Sequence, residues 1–394
     1  MTPRRESLRI CKVERRDIQM KIAINTTPLL STLTGVGNYT YQTARAMALL
    51  APENDYSYYY GYFSKKLFAS ENRGAFYEIK ELVKQVPAMK KFARSIKDNI
   101  CPLTLKPFDL YFEPNFIPLR VRARRTVVSI MDFSFEDYPQ WHPRERIDYF
   151  RKKFWKNIGR ADGIIAISDF VRDEAVNKFG LPAEKLRVVR LGFNKEVFRL
   201  MSAEELAPVK AKYSLPDRFI LCVGSMEPRK NLISLLKAYS SLDRSARAGF
   251  KLVFVGFKGW ENKEIMELLA KVKDEAVYLG YITDAELGAL YNLASFFLYP
   301  SFYEGFGLPP LEAMACGCPV VVSKAASLPE VCGGAAVYID PHDIDGIAQG
   351  IKKVAGDDSL RKTLSSAGLE RAKLFSWEKT AQEHLEIFKA IVRA

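Results

Sequence analysis

Ser301-Phe302-Tyr303-Glu304-Gly305-Phe306-Gly307-Leu308-Pro309-Pro310-Leu311-Glu312-Ala313-Met314-Ala315-Cys316-Gly317-Cys318-Pro319 is the stretch from which the fold can be read. The apolar run Leu293–Pro300 precedes it, and Pro319-Val320-Val321-Val322 resumes an apolar run after it. The layout is strand, glycine loop, short helix beginning near Pro309, strand. In an open α/β sheet, ligands sit outside the carboxyl ends of strands, where such loops lie. A helix N-terminus there offers free N–H groups to an anion. Glu304 stands just before the glycines, so it is expected to project into the crevice, and Glu312 lies early in the helix.

Outward from this stretch, strand and helix signals alternate. Lys21–Asn25, Tyr56–Phe63, Thr126–Met131, Gly163–Ser168 and Leu186–Leu191 read as strands, with helices at Gly35–Leu50, Pro143–Ile158 and Asp169–Phe179. A polar stretch, Phe193–Leu215, follows, with a short helical piece at Ala203–Tyr213. The alternation then restarts with strands at Phe219–Gly224, Lys251–Gly256, Ala276–Leu279, Phe296–Tyr299, Pro319–Ser323 and Ala336–Ile339. Helices are expected at Asn231–Ser241, Asp284–Ala294, Pro309–Ala315, Ile344–Val354 and Trp377–Val392. Alternation of this kind builds βαβ units and a parallel sheet. The expected class is α/β, with two doubly wound, Rossmann-like domains facing across a cleft. The expected boundaries are 20–195 for the first domain, 196–376 for the second and 377–394 for a closing helix, with 1–19 a disordered extension.

Bulk properties narrow the function classes. The 394 residues suit two or three domains, and 48% apolar with 27% charged residues is ordinary for a globular protein. No apolar run approaches the ~18 residues of a membrane span. The charged N-terminus is not a secretory signal. Six cysteines form no CxxC pair, so Cys316 and Cys318 read as small buried thiols and a reducing cytoplasm is the expected compartment. The three histidines are scattered, which disfavours a histidine metal site. A net charge of +13 favours anionic partners. No nucleic-acid reading module accompanies it, so nucleic acid is not expected as a partner. Lys84, Lys90, Lys91, Arg94 and Lys97 interleave with Val83, Val86, Met89, Phe92 and Ile96, which raises peripheral contact with an anionic inner membrane face; an ordinary amphipathic surface helix is the competing reading.

Three segments carry chemistry. Gly35-Val36-Gly37-Asn38 follows the first strand and allows close backbone approach, although a GxG alone equally suits an ordinary turn. Val223-Gly224-Ser225-Met226-Glu227-Pro228-Arg229-Lys230-Asn231 ends the second domain's first strand. Adjacent cations at a helix start oppose the helix dipole, an arrangement explained by a bound anion. Arg offers a planar fork to phosphate oxygens and Lys a mobile point charge. The third is the opening stretch. There Glu312 reads either as a capping carboxylate or as an acceptor of ribose hydroxyls, and Glu304 either as a loop carboxylate or as a ligand group.

Glu304 and Glu312 together resemble the E-x7-E motif of retaining glycosyltransferases with the GT-B fold, family 4 in particular, also known as glycosyl transferases group 1. The string from Gly305 to Val321, the Val223–Asn231 segment, Gly35–Asn38, Ala166-Ile167-Ser168 and Gly280-Tyr281-Ile282 are similar to that family's motifs, over residues 20–390. The resemblance implies a nucleotide-sugar donor, GDP-mannose or a UDP-sugar, and a glycan or lipid-linked acceptor in cell-surface polysaccharide synthesis. It implies that Arg229 and Lys230 hold the diphosphate and stabilise its departing charge. Glu304 would orient the donor sugar and Glu312 would bind the ribose. The Gly224-Ser225 turn and the Gly305-Phe306-Gly307-Leu308 backbone would meet sugar and phosphate, Gly37 would lie against the phosphate from the opposite domain, and Tyr281 and Ile282 would flank the base. Neither metal nor cofactor is expected.

The chain also departs from the family pattern. Met131-Asp132 stands where a His-Asp pair is usual, Asn25-Thr26-Thr27 replaces an Asp-x-Arg, and Leu191-Gly192-Phe193-Asn194 replaces an Asn-Gly. These changes fall on the acceptor half. They leave two alternatives beside a mannosyltransferase-like enzyme: a sugar-nucleotide epimerase on the same fold, or a catalytically impaired nucleotide-sugar-binding protein.

Overall fold

A computed structural model describes residues 19–30, 35–68, 107–247, 249–259 and 263–394. The Lys84–Lys97 segment, Cys11, Cys101 and nearly all of the N-terminal extension lie outside the described residues.

The first sheet has seven strands: β1 Lys21–Asn25, β2 Asp55–Tyr59, β3 Phe63–Ser64, β4 Phe108–Glu113, β5 Ala123–Ile130, β6 Gly163–Ala166 and β7 Leu186–Val188. Their order is β3-β2-β1-β4-β5-β6-β7, parallel except for the antiparallel β2–β3 pair. The second sheet has six: β8 Phe219–Val223, β9 Lys251–Val255, β10 Ala276–Tyr278, β11 Phe296–Tyr299, β12 Val320–Ser323 and β13 Ala336–Ile339. These run all parallel in the order β10-β9-β8-β11-β12-β13. Strands covered on both faces read as near-continuous apolar runs. The buried Val320-Val321-Val322 of β12 and Ile164-Ile165-Ala166 of β6 are examples.

Several elements differ from the sequence reading. The aromatic run Tyr56–Phe63 is two strands, because Gly61 adopts φ 100° and turns the chain back on itself. β4, central in its sheet, escapes the reading: Phe108-Asp109-Leu110-Tyr111-Phe112-Glu113 carries polar residues at both ends of a short apolar core. The helix after β6 is α-helical only over Asp169–Asp173 and continues as a π turn over Glu174–Lys178. Asp358–Ala372 is a further helix that the reading omits.

Each sheet reverses its winding beside its first strand, so the switch points lie between β1 and β4 and between β8 and β11. At the first, the Asn25 amide donates to both oxygens of the fully buried Glu113, at 3.0 and 2.8 Å. This accounts for Asn25: an amide satisfies the carboxylate that a second acid would repel. The helix Trp377–Arg393 runs back to the first domain. Its His384 Nε2 lies 2.7 Å from the Tyr39 hydroxyl, and its Ile391 fills the space over Gly163. Gly192 lets that crossing occur, since a Cβ there would stand 2.1 Å from the Trp377 nitrogen.

The two domains meet along the carboxyl ends of their strands. Ser168 Oγ donates to the Gly305 carbonyl at 2.7 Å, and Glu330 accepts from the Asp169 amide at 2.8 Å and from Arg190 Nε at 2.8 Å. Trp141 stacks on Phe302 across the boundary at 5.8 Å. A Cβ on Gly305 would lie 1.9 Å from the Met131 carbonyl oxygen, so only glycine fits this approach.

Candidate active site

The site is built on β8 and β11, the strands that flank the second switch point. After β8 the chain turns through Gly224 (φ 145°), whose missing side chain makes room for the Lys230 stem 3.2 Å away. Pro228–Lys230 forms one 3-10 turn, and Asn231 at φ 57° ends it before the helix Leu232–Ser241. Asn tolerates this left-handed conformation better than most residues. Its side-chain amide locks the turn by donating to the carbonyls of Pro300 (3.1 Å) and Pro341 (2.7 Å). The cations therefore precede the helix rather than occupy its first turn, which corrects the dipole argument made from sequence.

The anion that answers Arg229 and Lys230 is Glu304 itself. Arg229 Nη1 donates to Glu304 Oε2 at 2.7 Å, and Lys230 Nζ donates to Oε1 at 2.7 Å. Tyr299 Oη donates to the same Oε1 at 2.8 Å, and Glu227 accepts from Arg229 Nη2 at 3.0 Å. Burial pushes the Glu304 carboxyl up, but Arg229 and Lys230 overcome it and hold it down at about 2. Burial would pull the Arg229 guanidinium down, and the carboxylates of Glu304 and Glu227 more than reverse that. Burial first and the Arg229 charge second lower the Lys230 ammonium. Glu227 and Tyr299 went unassigned in sequence. The signal for Glu227 was present as a carboxylate two residues before the arginine; nothing in sequence marked Tyr299, which ends a strand.

The glycine loop shows a second property. Ser327 Oγ lies 2.7 Å from the carbonyl oxygens of both Glu304 and Phe306, which share its one O–H. The amides of Gly305, Phe306, Gly307 and Leu308 donate to no protein acceptor among the described residues. Leaving a buried donor unpaired costs about 1–3 kcal/mol. Gly305, Phe306 and Gly307 are buried and Leu308, first in its helix, is half-buried, so the run marks a place for an anion or hydroxyl oxygens. The helix contributes less than its N-terminus promised. It spans Leu308–Ala315, and Pro309 and Pro310 have no N–H to offer.

Glu312 sits beyond the first turn of that helix, which corrects the capping reading. It is 8% exposed. Burial, aided by the Asp284 charge, raises its pKa to about 8, and the side chain of the buried Tyr291 is the neighbour that lowers it. Alongside, the carboxyl ends of β8, β9 and β10 line up through Gly224, Gly256 and Gly280, with Gly256 N–H donating to the Gly280 carbonyl at 2.9 Å. Beyond these glycines, Tyr281 and Phe257 stack at 4.6 Å between ring centres, both exposed. Ile282 turns inward and is buried, so only its backbone borders that surface. Ser225 is half-buried in the β8 turn. Gly37 is buried in the first turn of the helix Gly35–Leu50, on the first domain's side.

Opposite the glycine loop stand Met131 and Asp132. Asp132 Oδ1 accepts from the Ser134 amide (3.0 Å) and hydroxyl (2.8 Å), and the Ser134 hydroxyl lies 2.9 Å from His142 Nε2. Met131 is buried and places a thioether where the family pattern has an imidazole. Cys316 and Cys318 are buried thiols. Among the described residues, no helix is long and apolar enough to cross a membrane.

Comparison with known proteins places the chain in a family. Residues 205–371 match the family model "Glycosyl transferases group 1", and residues 80–197 match "Glycosyltransferase Family 4". The O-antigen chain mannosyltransferase B of Escherichia coli is 34% identical over 386 residues, covering 94% of this chain and 100% of that one. A serotype-specific mannosyltransferase WbdA of Escherichia coli is 35% identical over 240 residues, covering 60% of this chain and 29% of that one. Among solved structures, sucrose-phosphate synthase from Thermosynechococcus elongatus superposes with a TM-score of 0.68 at 19% identity, over 95% of this chain and all of that one. WaaG, a glycosyltransferase involved in lipopolysaccharide biosynthesis, gives 0.64 at 15%, over 93% of this chain and 99% of that one. With two parallel Rossmann-like sheets facing each other and these relatives, the chain belongs to the group 1 glycosyl transferases of family 4 and is a glycosyltransferase of the GT-B fold, akin to mannosyltransferases of cell-surface polysaccharide synthesis.

Proposed function

We propose that the enzyme transfers a mannosyl residue from GDP-mannose to a glycan or lipid-linked acceptor, with retention of anomeric configuration. The observation that carries the donor site is the run of four unpaired amides, Gly305 to Leu308, beside the Arg229–Lys230–Glu304 cluster. In this reading, Arg229 and Lys230 take the diphosphate. The loop amides meet phosphate and sugar oxygens, and Glu304 turns to accept hydrogen bonds from sugar hydroxyls. Glu312 accepts from the ribose diol, the Tyr281–Phe257 stack and the Ile282 backbone border the base, and the Gly224-Ser225 turn and Gly37 close on the phosphates. The mannose assignment follows the similarity to the mannosyltransferases of Escherichia coli.

The chemistry is front-face displacement. The bond from the sugar C1 to the phosphate oxygen breaks, the bond from C1 to the acceptor oxygen forms on the same face, and the acceptor proton passes to the departing phosphate. The negative charge growing on that phosphate meets preorganised cations in a water-poor cleft. The positive field comes from Arg229, Lys230 and the loop amides, without metal or cofactor. Peripheral contact with an anionic membrane is proposed from the Lys84–Lys97 sequence alone, and failure to bind anionic vesicles at low salt would remove it.

Incubation with GDP-mannose or UDP-glucose and a lipid-linked acceptor extract, followed by NMR of the product's anomeric proton, tests the reading. Mannose transfer with retention is expected. Tight sugar-nucleotide binding without transfer from either donor would overturn the enzyme assignment. Transfer from UDP-glucose alone would overturn the donor.

A further inference from the structure

We propose that the Tyr303 hydroxyl is a positioning group for sugar transfer, clasping the Met131–Phe133 segment of the first domain onto the donor loop with Glu174 as its partner. Tyr303 directly precedes Glu304, yet its side chain lies among first-domain groups and is buried. Its Oη accepts from the Phe133 amide at 3.0 Å and donates to Glu174 Oε2. Its own carbonyl accepts from Arg229 Nη1 at 3.1 Å. One residue is thus bonded through its hydroxyl to one domain and through its backbone to the central cation of the other.

The surroundings are shaped around this hydroxyl. Glu174 opens the π turn Glu174–Lys178, and π turns inside helices recur at functional sites. Lys178 is paired with Asp137 at 2.5 Å beside Glu174, whose carboxyl also meets the Asp137 side chain, and the Tyr303 hydroxyl donates to Glu174 Oε2. Tyr138 and Phe170 pack on the Tyr303 ring at 5.4 and 5.6 Å, so the ring is fixed by packing and the hydroxyl alone reaches the polar partners. The clasp holds Met131 against Gly305, where the two domains approach too closely for a Cβ. Losing it lets the acceptor half drift from the donor half, and a 1 Å misplacement can cost about 100-fold in rate.

Tyr303→Phe keeps the ring and removes the hydroxyl. The Phe133 amide, read by hydrogen exchange, is expected to lose its protection. Turnover in sugar transfer is expected to fall about 10-fold to 100-fold, with affinity for GDP within about threefold of wild type, because every proposed nucleotide contact but Gly37 lies on the second domain. Glu174→Gln keeps an acceptor and is expected to lose less, and the double variant to be no worse than Tyr303→Phe alone, as for groups acting through one contact. Unchanged Phe133 protection or full turnover in Tyr303→Phe would overturn the proposal. So would a fall in GDP affinity equal to the fall in turnover, the mark of a merely structural role. The inference rests on the donor-site reading only for its kinetic arm: if wild type transfers no sugar, that reading fails and the exchange measurement decides the clasp.

Discussion

If Glu312 binds the ribose as proposed, its state makes donor binding depend on pH. Its carboxyl is buried, lies near Asp284 and has a pKa raised to about 8, so in the free enzyme it is protonated at neutral pH. A ribose diol presents two O–H donors, which favour the ionised carboxylate. Binding therefore lowers the Glu312 pKa and releases a proton, so affinity rises with pH. At pH 6 a group with a pKa near 8 is ionised in about one molecule in a hundred, and at pH 7 in about one in ten. Affinity for the intact sugar nucleotide, whose diphosphate does not titrate in this window, is expected to rise roughly tenfold per unit between about pH 6 and 8 and then level. Glu304, held at about 2, adds nothing there. Calorimetric titrations between pH 6 and 9 read the slope directly. Glu312→Gln should flatten it, and Asp284→Asn should move the midpoint to lower pH. A flat wild-type profile, or an undiminished slope in Glu312→Gln, would refute the ribose assignment.

Three further outcomes are expected. Glu304→Gln frees Arg229 and Lys230 from their anionic partner, so GDP should bind as well or better while transfer falls about 100-fold or more; weaker GDP binding would contradict the charge argument. Gly305→Ala drives a Cβ to within 1.9 Å of the Met131 carbonyl across the domain boundary, so turnover should fall about 10-fold to 100-fold with GDP affinity within about threefold, measured by steady-state kinetics beside fluorescence titration. Asn231→Ala removes hydrogen bonds to two buried carbonyls and puts alanine at φ 57°, costing about 2–4 kcal/mol in a thermal melt, and Asn231→Gly should recover the backbone part alone.

The cluster of Glu304 with Arg229 and Lys230 was legible because its parts are local. Gly305-Phe306-Gly307, Glu304 and Arg229-Lys230 stand in two short strings, each at a strand end, and strand ends are visible as the limits of apolar runs. What the sequence hid was pairing across distance. Asn25 with Glu113, Ser168 with Gly305 and Tyr303 with Glu174 are separated by 88, 137 and 129 positions, and no local pattern marks them. Strand β4 was hidden for a related reason. Its terminal Glu113 is satisfied by Asn25 and by the Tyr111 hydroxyl, so a charged residue fits a central strand that periodicity alone would not grant it. The helix promise of the opening stretch failed on Pro309 and Pro310, whose missing N–H groups move the anion-binding capacity back onto the glycine loop.

That shift clarifies how the cluster works. Two cations, Arg229 and Lys230, face two carboxylates, Glu304 and Glu227, so the empty cluster is neutral. A diphosphate can take the cations only by drawing Arg229 away from Glu304, and the displaced carboxylate then needs new donors. Sugar hydroxyls supply them in the intact donor; GDP does not. The same displacement thus favours the sugar nucleotide over its product without any contact to the base. On the proposed reading, once the sugar has moved to the acceptor, Glu304 keeps only the Tyr299 hydroxyl as a donor in a buried site, and its return to Arg229 and Lys230 competes with the bound diphosphate. Product release would then be driven by the same carboxylate that is proposed to orient the sugar. On this argument the expected gain in GDP affinity for Glu304→Gln and its loss of turnover have one cause, and the two must appear together.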